Sequence, residues 1–168
     1  MTELTPEQQQ FRQAMAHLAA AVNIVTTDGP HGRLGITVSA VCSVTDSPPT
    51  VLVCVNQRSA AHDVFTSNGM VAVNVLASEQ TDLARHFSGA TNVPMAERFA
   101  WDIWEEGAAA PTLRDARVAL VGRIRDSLSR GTHSVMFVEI ESIRIRDEAE
   151  GLVYYDRGFH RVSELTAV

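Results

Sequence analysis

The stretch 35–50, GITVSAVCSVTDSPPT, carries hydroxyl side chains on one side of a predicted strand. Thr37, Ser39, Ser43 and Thr45 share one parity, and alternate residues of a strand project to the same face. The simplest interpretation is a solvent-facing side of an antiparallel sheet. The alternative is a row of groups that holds a phosphate or a polyol, because a hydroxyl both donates and accepts hydrogen bonds. The spacing alone leaves both open.

Two other segments place a cation or an imidazole at the end of an element. Gly131-Thr132-His133 precedes the strand pattern SVMFVEI, where a histidine can contact an anion or a redox-active ring. The alternative there is a glycine turn with an unrelated histidine. Arg85-His86-Phe87 closes a predicted helix. Its guanidinium suits a phosphate, but a cation at a solvated helix end also interacts favourably with the helix dipole.

Several kinds of chemistry are excluded or disfavoured by what the chain lacks. It contains no lysine, since all 14 basic residues are arginine, which excludes Schiff-base chemistry and a covalent pyridoxal phosphate. There is no GxSxG elbow, and the six histidines form no HExxH pair, so no metal site is predicted. Cys42 and Cys54 have no zinc spacing and are predicted to be small core residues in a reducing cytoplasm.

Composition predicts a single domain over residues 1–168, with 45% hydrophobic residues to form a core. The net charge of −6 argues against nucleic-acid binding, which requires a basic surface. The N-terminus is polar and has no apolar segment typical of a signal peptide. No apolar run reaches the ~18 residues of a membrane span. We therefore expect a cytoplasmic protein that binds neither nucleic acid nor membrane.

The elements that must position these residues are mostly strands. Thr5 and Gln8 suit a capping box for a first helix, and Phe11, Met15 and Leu18 recur at helical spacing. Regular βαβ alternation is absent, so an antiparallel barrel with short peripheral helices is predicted. The predicted strands are 22–27, 35–45, 50–56, 70–77, 118–126, 133–146 and 152–155, and the further helices are 59–68, 78–88 and 94–99.

The combination of FRQAMAHLAAAVNIVTTDGPHGRLGITVSAVCSVTDSPPTVLVCVN with VNVL, LARHF, ERF, GTH and GLVYYDRGFH resembles the short-chain flavin reductases of two-component monooxygenases. The resemblance extends from Phe11 to His160. It implies an FMN-binding split barrel, a Greek-key antiparallel β-barrel that forms a homodimer. It also implies NADH-dependent reduction of FMN, FAD or riboflavin, with the reduced flavin passing to a separate monooxygenase component.

The same resemblance implies the site residues. A Gly-Asp-His motif that helps to hold NADH in relatives is Gly131-Thr132-His133 here, so the middle position departs from the pattern, and His133 is the predicted catalytic residue. Tyr155 and Arg157 correspond to a segment near the nicotinamide. The positions that match flavin-binding segments are Thr37, Val38, Ser39, Ala40, Cys54, Val55, Asn56, Ser59, Arg85 and Phe87.

Hydride transfer between nicotinamide and flavin is chemistry of the cofactors and needs no strong acid, base or nucleophile from the protein. The absence of acid, base and nucleophile motifs from the sequence is consistent with hydride transfer. Two alternatives remain open at this point. One is a split-barrel protein that binds flavin without turnover, and the other is a flavin-dependent oxidase of the pyridoxamine phosphate type, whose family motifs the sequence lacks.

Overall fold

The computed structural model describes residues 4–105 and 107–163 of the chain, and strands dominate them as predicted. The strands are β1 (Ala20–Ala21), β2 (Asn23–Thr27), β3 (Leu34–Val38), β4 (Val41–Asp46), β5 (Pro49–Asn56), β6 (Met70–Val75), β7 (Val118–Arg130), β8 (His133–Ile145), β9 (Gly151–Tyr155) and β10 (Gly158–Val162). The helices are α1 (Pro6–Ala16), α2 (Ala60–Asn68), α3 (Thr81–Phe87) and α4 (Met95–Ala100), with a 3₁₀ turn at Ser78–Gln80 before α3. Among these helices none is long and apolar enough to cross a membrane.

Seven strands form one antiparallel sheet in the order β3-β2-β6-β7-β8-β5-β4. Strands β3 and β4 lie at its opposite edges, although only Ser39 and Ala40 separate them along the chain. Two residues span less than about 10 Å, so the sheet must curl until its edges approach each other. The result is a barrel whose two edges meet without continuous pairing. The predicted antiparallel split barrel is confirmed.

The interior of this barrel is filled by the inward residues of β5 and β8 together with one helix. Val53, Val55, Met136 and Val138 are buried there, and Phe65 of α2 is fully buried against them. Glycine at position 69 ends α2 in a left-handed conformation, which allows the chain to turn directly into β6. Helix α2 therefore fits tightly against the barrel and holds the loop that follows β5.

The structure contradicts the predicted continuous strand over 35–45. The chain breaks at Ser39–Ala40, where it crosses from one edge of the sheet to the other. Side-chain alternation does not continue across the break: Val38 is buried, whereas Cys42 and Val44 are exposed. The prediction that Cys42 is a core residue is therefore wrong, while Cys54 is half-buried.

Helix α1 begins as predicted, with Thr5 and Gln8 forming a capping box. The predicted apolar stripe does not enter the core, however, because Phe11 and Met15 on the helix and Leu18 beyond its end are 63, 45 and 65% exposed. Strand β10 was absent from the predictions. Residues 156–157 connect β9 to β10 as a two-residue turn with positive φ at both positions, a geometry that usually signals itself through Asn-Gly or Asp-Gly.

Candidate functional site

A cleft lies where β3 gives way to β4 and where β5 ends. Its volume is about 360 Å³, which is within the ordinary range for small-molecule sites. We call it the main cleft. Its lining residues come from three strands, the start of α2 and the end of α3: Ile36, Thr37, Val38, Ser39, Ala40, Cys54, Val55, Asn56, Ser59, Phe87, Ser88 and His133.

A second cleft of about 310 Å³ adjoins the first, and we call it the side cleft. The two share Thr37, Ser39 and Ser88 in their linings. The side cleft adds Arg85 from α3 and two aromatic side chains, Tyr154 and Phe159, whose rings meet edge to face at 5.3 Å. Together the clefts offer a continuous surface for a ligand longer than a single ring system.

The structure brings most of the sequence-predicted residues together. All of them line the main cleft except Arg85, which lines the side cleft, and Tyr155 and Arg157, which line neither. These last two lie at the β9–β10 turn, where the Tyr155 ring contacts His17 and His160. Sequence reasoning missed Ser88, Tyr154 and Phe159. The segment GLVYYDRGFH contained two of them, but it did not indicate which aromatic residues face the ligand.

The four hydroxyl side chains of the stretch 35–50 have different roles in the structure. Thr37 donates a hydrogen bond to the Ala84 carbonyl of α3 at 2.7 Å, so its hydroxyl fixes that helix to β3. The Ser39 hydroxyl has no side-chain hydrogen bond among the described residues and lines both clefts. Ser43 and Thr45 lie beyond the break, on β4, and line neither cleft. Within this row of four described residues, Ser39 is therefore the one that presents an uncommitted hydroxyl to a ligand.

Phe87 forms a rigid wall of the main cleft. It is 2% exposed and packs edge to face against Phe99 and Trp104 at 5.8 and 5.9 Å. Gly35 makes this position possible, because a Cβ there would lie 2.9 Å from Phe87 Cε1. The glycine thus lets an aromatic ring lie directly against the backbone of β3.

The His133 end of the cleft is held by a hydrogen-bonded network. The backbone N–H of Gln57 donates to the Thr132 carbonyl at 3.0 Å, and the Gln57 side-chain amide donates to Ser134 Oγ at 3.3 Å. His62 Nε2 lies 2.9 Å from the same Ser134 oxygen, and its Nδ1 lies 2.8 Å from Asp63. Ser134 is buried. The network therefore ties the start of β8 to the loop and helix that follow β5.

The electrostatic character of the clefts differs from that of the whole chain. No carboxylate lines either cleft, although the chain carries 20 acidic residues. Arg85 and His133 are the side chains there that can bear positive charge, and Arg85 makes an exposed ion pair with Asp82 at 3.3 Å. Ser59 caps the N-terminus of α2 at the cleft wall, and such an end favours anions.

Neither cleft lining contains a carboxylate base or an activated nucleophile. Burial raises the pKa of the Cys54 thiol, so this side chain stays protonated at neutral pH and is a poor nucleophile. Within the described part of the chain no cluster of three histidine, cysteine or carboxylate side chains could hold a metal ion. The arrangement suits binding and alignment of flat, anionic molecules whose own chemistry supplies the reaction.

Comparisons with known proteins identify the type of domain. Residues 15–163 match the family model described as a flavin reductase like domain. The chain is 53% identical over 163 residues to the 4-hydroxyphenylacetate 3-monooxygenase reductase component of Pseudomonas aeruginosa, with 96% of each covered. It is 51% identical to the FMN reductase (NADH) RutF of Stutzerimonas stutzeri, covering 91% of this chain and 87% of that protein.

A solved structure gives the same result. The NADH:FAD oxidoreductase SgcE6 of Streptomyces globisporus, in complex with NAD and FAD fragments, superposes with a TM-score of 0.84 at 26% identity. The match covers 97% of this chain and 98% of that one.

Proposed function

Since this chain belongs to the flavin reductase-like domain family, we propose that it transfers a hydride from NADH to FMN or FAD at the main and side clefts. It is an oxidoreductase of the flavin reductase type. The structural observation that supports this reaction is the pair of adjoining clefts, which together lack carboxylates and offer Arg85 and His133 to anionic ligands. The P. aeruginosa and S. stutzeri relatives carry reductase names.

Bound nicotinamide and flavin supply the redox chemistry, a hydride moving from nicotinamide C4 to flavin N5. The residues of this chain provide the positions of the two ligands. Phe87 and Val55 form a packed wall, and an immobile wall limits the orientations that a bound ring can adopt. Ser39 offers its hydroxyl, and Arg85 offsets negative charge at the side cleft. His133 stands at the opposite rim, where it faces the nicotinamide nucleotide.

We further propose that the reduced flavin leaves for a separate flavin-dependent monooxygenase component. The P. aeruginosa relative is named as the reductase component of such a system. The structure is compatible with release because Ser39, Ala40, Asn56 and His133 of the main cleft are all exposed. A flavin held there is accessible from solvent and can exchange.

A homodimer is the proposed assembly. Phe11 and Met15 on α1 and Leu18 just after it are exposed in one chain, and α1 has no buried residue. Covering this stripe with a second copy would remove apolar surface from water. Sedimentation equilibrium should give twice the chain mass for the natural protein and a lower mass for Phe11→Ser/Leu18→Ser. A monomer at micromolar concentration would contradict the proposal.

The cytoplasm is the proposed location, because NADH is an intracellular reductant and the two cysteines, one of them exposed, are free thiols. We also propose that residues 1–168 form one domain.

The test of function is NADH oxidation followed at saturating NADH with FMN, FAD or riboflavin. The expected result is a rate that rises with flavin concentration. Arg85→Ala should raise KM for FMN more than KM for riboflavin, which has no phosphate. The matched control is Arg161→Ala, since Arg161 is exposed and pairs with Glu150 outside both cleft linings. Flavin binding without NADH oxidation would instead identify a non-catalytic flavin-binding protein.

A further inference from the structure

Three neighbouring strands place one polar side chain each in a row at the His133 end of the main cleft. Asn56 of β5 is directly opposite His133 of β8, and His133 is directly opposite Arg130 of β7. Residues opposite each other in antiparallel strands project to the same face, with Cβ atoms about 4.5–5.5 Å apart. Asn56 and His133 line the cleft, so Arg130 lies on the same face, one strand beyond the rim.

Each member of this row has a polar group available. The side-chain oxygen Oδ1 of Asn56 accepts from the Arg58 backbone N–H at 2.9 Å, which leaves the side-chain nitrogen Nδ2 of Asn56 to donate to a ligand. Thr132 Oγ1 lies 2.9 Å from His133 Nδ1, so Nε2 is the nitrogen left for a ligand. The row therefore presents an amide, an imidazole and a guanidinium in succession.

Arg130 also differs from its neighbours on β7. Arg123 forms an ion pair with Glu141 at 2.7 Å, and Arg125 forms one with Glu139 at 2.9 Å. Arg130 is exposed and has no carboxylate within ion-pair distance among residues 4–105 and 107–163. An exposed arginine without a carboxylate partner, one strand beyond the cleft rim in a chain of net charge −6, is available to an anionic ligand.

We propose that Arg130 binds the diphosphate of the nicotinamide dinucleotide, with His133 beside it in the subsite. The inference rests on the proposed hydride transfer from NADH. The nicotinamide ring must lie inside the main cleft to reach a flavin, so the rest of the dinucleotide must leave over a rim. The row reaches the rim at His133, and Arg130 lies on the next strand, about 4.8 Å farther from the cleft. Arg85, which is assigned to the flavin, lines the side cleft instead.

The test compares Arg130→Gln with Arg123→Gln. Both variants remove one positive charge from β7, so both change the net charge of the protein by the same amount. Arg130→Gln should raise KM for NADH about tenfold, the usual scale for loss of one charge-assisted contact, with kcat changed less than about twofold. KM for FMN should not change. Arg123→Gln should match the natural protein in all three constants.

A reduced nicotinamide without phosphates, 1-benzyl-1,4-dihydronicotinamide, distinguishes diphosphate binding from ring placement. The natural protein and Arg130→Gln should oxidise it equally, because it has nothing for the guanidinium to bind. A lower rate with this compound in Arg130→Gln would overturn the proposal. So would equal effects of the two β7 substitutions on KM for NADH. A selective rise in KM for FAD would also do so, since it would assign Arg130 to the flavin diphosphate.

Direct binding separates failure of this inference from failure of the proposed function. If the natural protein oxidises NADH and Arg130→Gln behaves like Arg123→Gln, the function stands and the subsite is wrong. If the natural protein shows no turnover, calorimetric titration with NAD⁺ still decides the matter. Weaker NAD⁺ binding in Arg130→Gln alone would support the subsite, and equal binding or no binding in the natural protein would refute it.

Discussion

Replacing Gly35 by alanine tests whether the cleft wall depends on a missing side chain. The new Cβ would lie 2.9 and 3.0 Å from two ring atoms of Phe87 and 3.1 Å from the Thr26 methyl. Phe87 cannot move aside easily because Phe99 and Trp104 pack against its ring. Overpacking of this kind costs about 1–3 kcal/mol, while alanine recovers about 0.4–1 kcal/mol by restricting the unfolded chain. A net loss of about 1–2 kcal/mol is expected.

Urea unfolding measures this loss as a lower midpoint with an unchanged slope. KM for FMN should rise as well, because the displaced ring narrows the main cleft. Gly151→Ala is the matched control: its Cβ would meet Val162 at an ordinary 3.6 Å, and no loss is expected. Phe87→Leu in the Gly35→Ala background should cost less than the sum of the single changes, since leucine lacks the ring atom that collides. Equal stability of Gly35→Ala and Gly151→Ala would refute the reasoning.

Three further substitutions test individual contacts. Thr37→Val should lower the free energy of unfolding by about 1 kcal/mol with little change in KM for FMN, because the lost hydroxyl bonds α3; a raised KM at unchanged stability would show ligand binding instead. Ser134→Ala should cost about 1 kcal/mol in urea unfolding, since it removes the hydroxyl that the half-buried His62 and Gln57 side chains contact, and a neutral result would contradict the network. The Arg146 guanidinium lowers the pKa of Glu79, so Glu79→Gln should be less stable at neutral pH, and the difference should shrink as pH falls through that lowered pKa. A difference constant with pH would contradict this ion pair.

The sequence predicted the strands and helices well where the pattern was local. The capping box at Thr5 and the long alternation of β8 are set by neighbouring residues, and both were found in the structure. The positions carried over by family resemblance, such as Asn56 and Ser59, converge on the main cleft. Their convergence depends on strand pairing that no local pattern specifies.

What escaped prediction depends on contacts between distant segments. The residue types around Ser39–Ala40 favour a continuous strand, so no local pattern predicts the break there. The break arises from closure of the barrel. The position of Arg130 beside the cleft depends on the register between β7 and β8, because residue 130 lies opposite His133 only in that register. The commitment of the Thr37 hydroxyl likewise requires α3 to pack beside β3. Each is a property of the folded arrangement.

The positions of β3 and β4 at opposite edges of the sheet determine when the main cleft can exist during synthesis. Its walls, β3 and β5, are near each other in sequence, but the sheet connects them through β2, β6, β7 and β8. Such long-range pairing forms late, because the intervening chain must first be ordered. A ribosome-bound chain that stops short of residues 133–145 lacks both β8 and His133. Ligands of the main cleft therefore cannot assist the early steps of folding. They can bind only when most of the chain has been made.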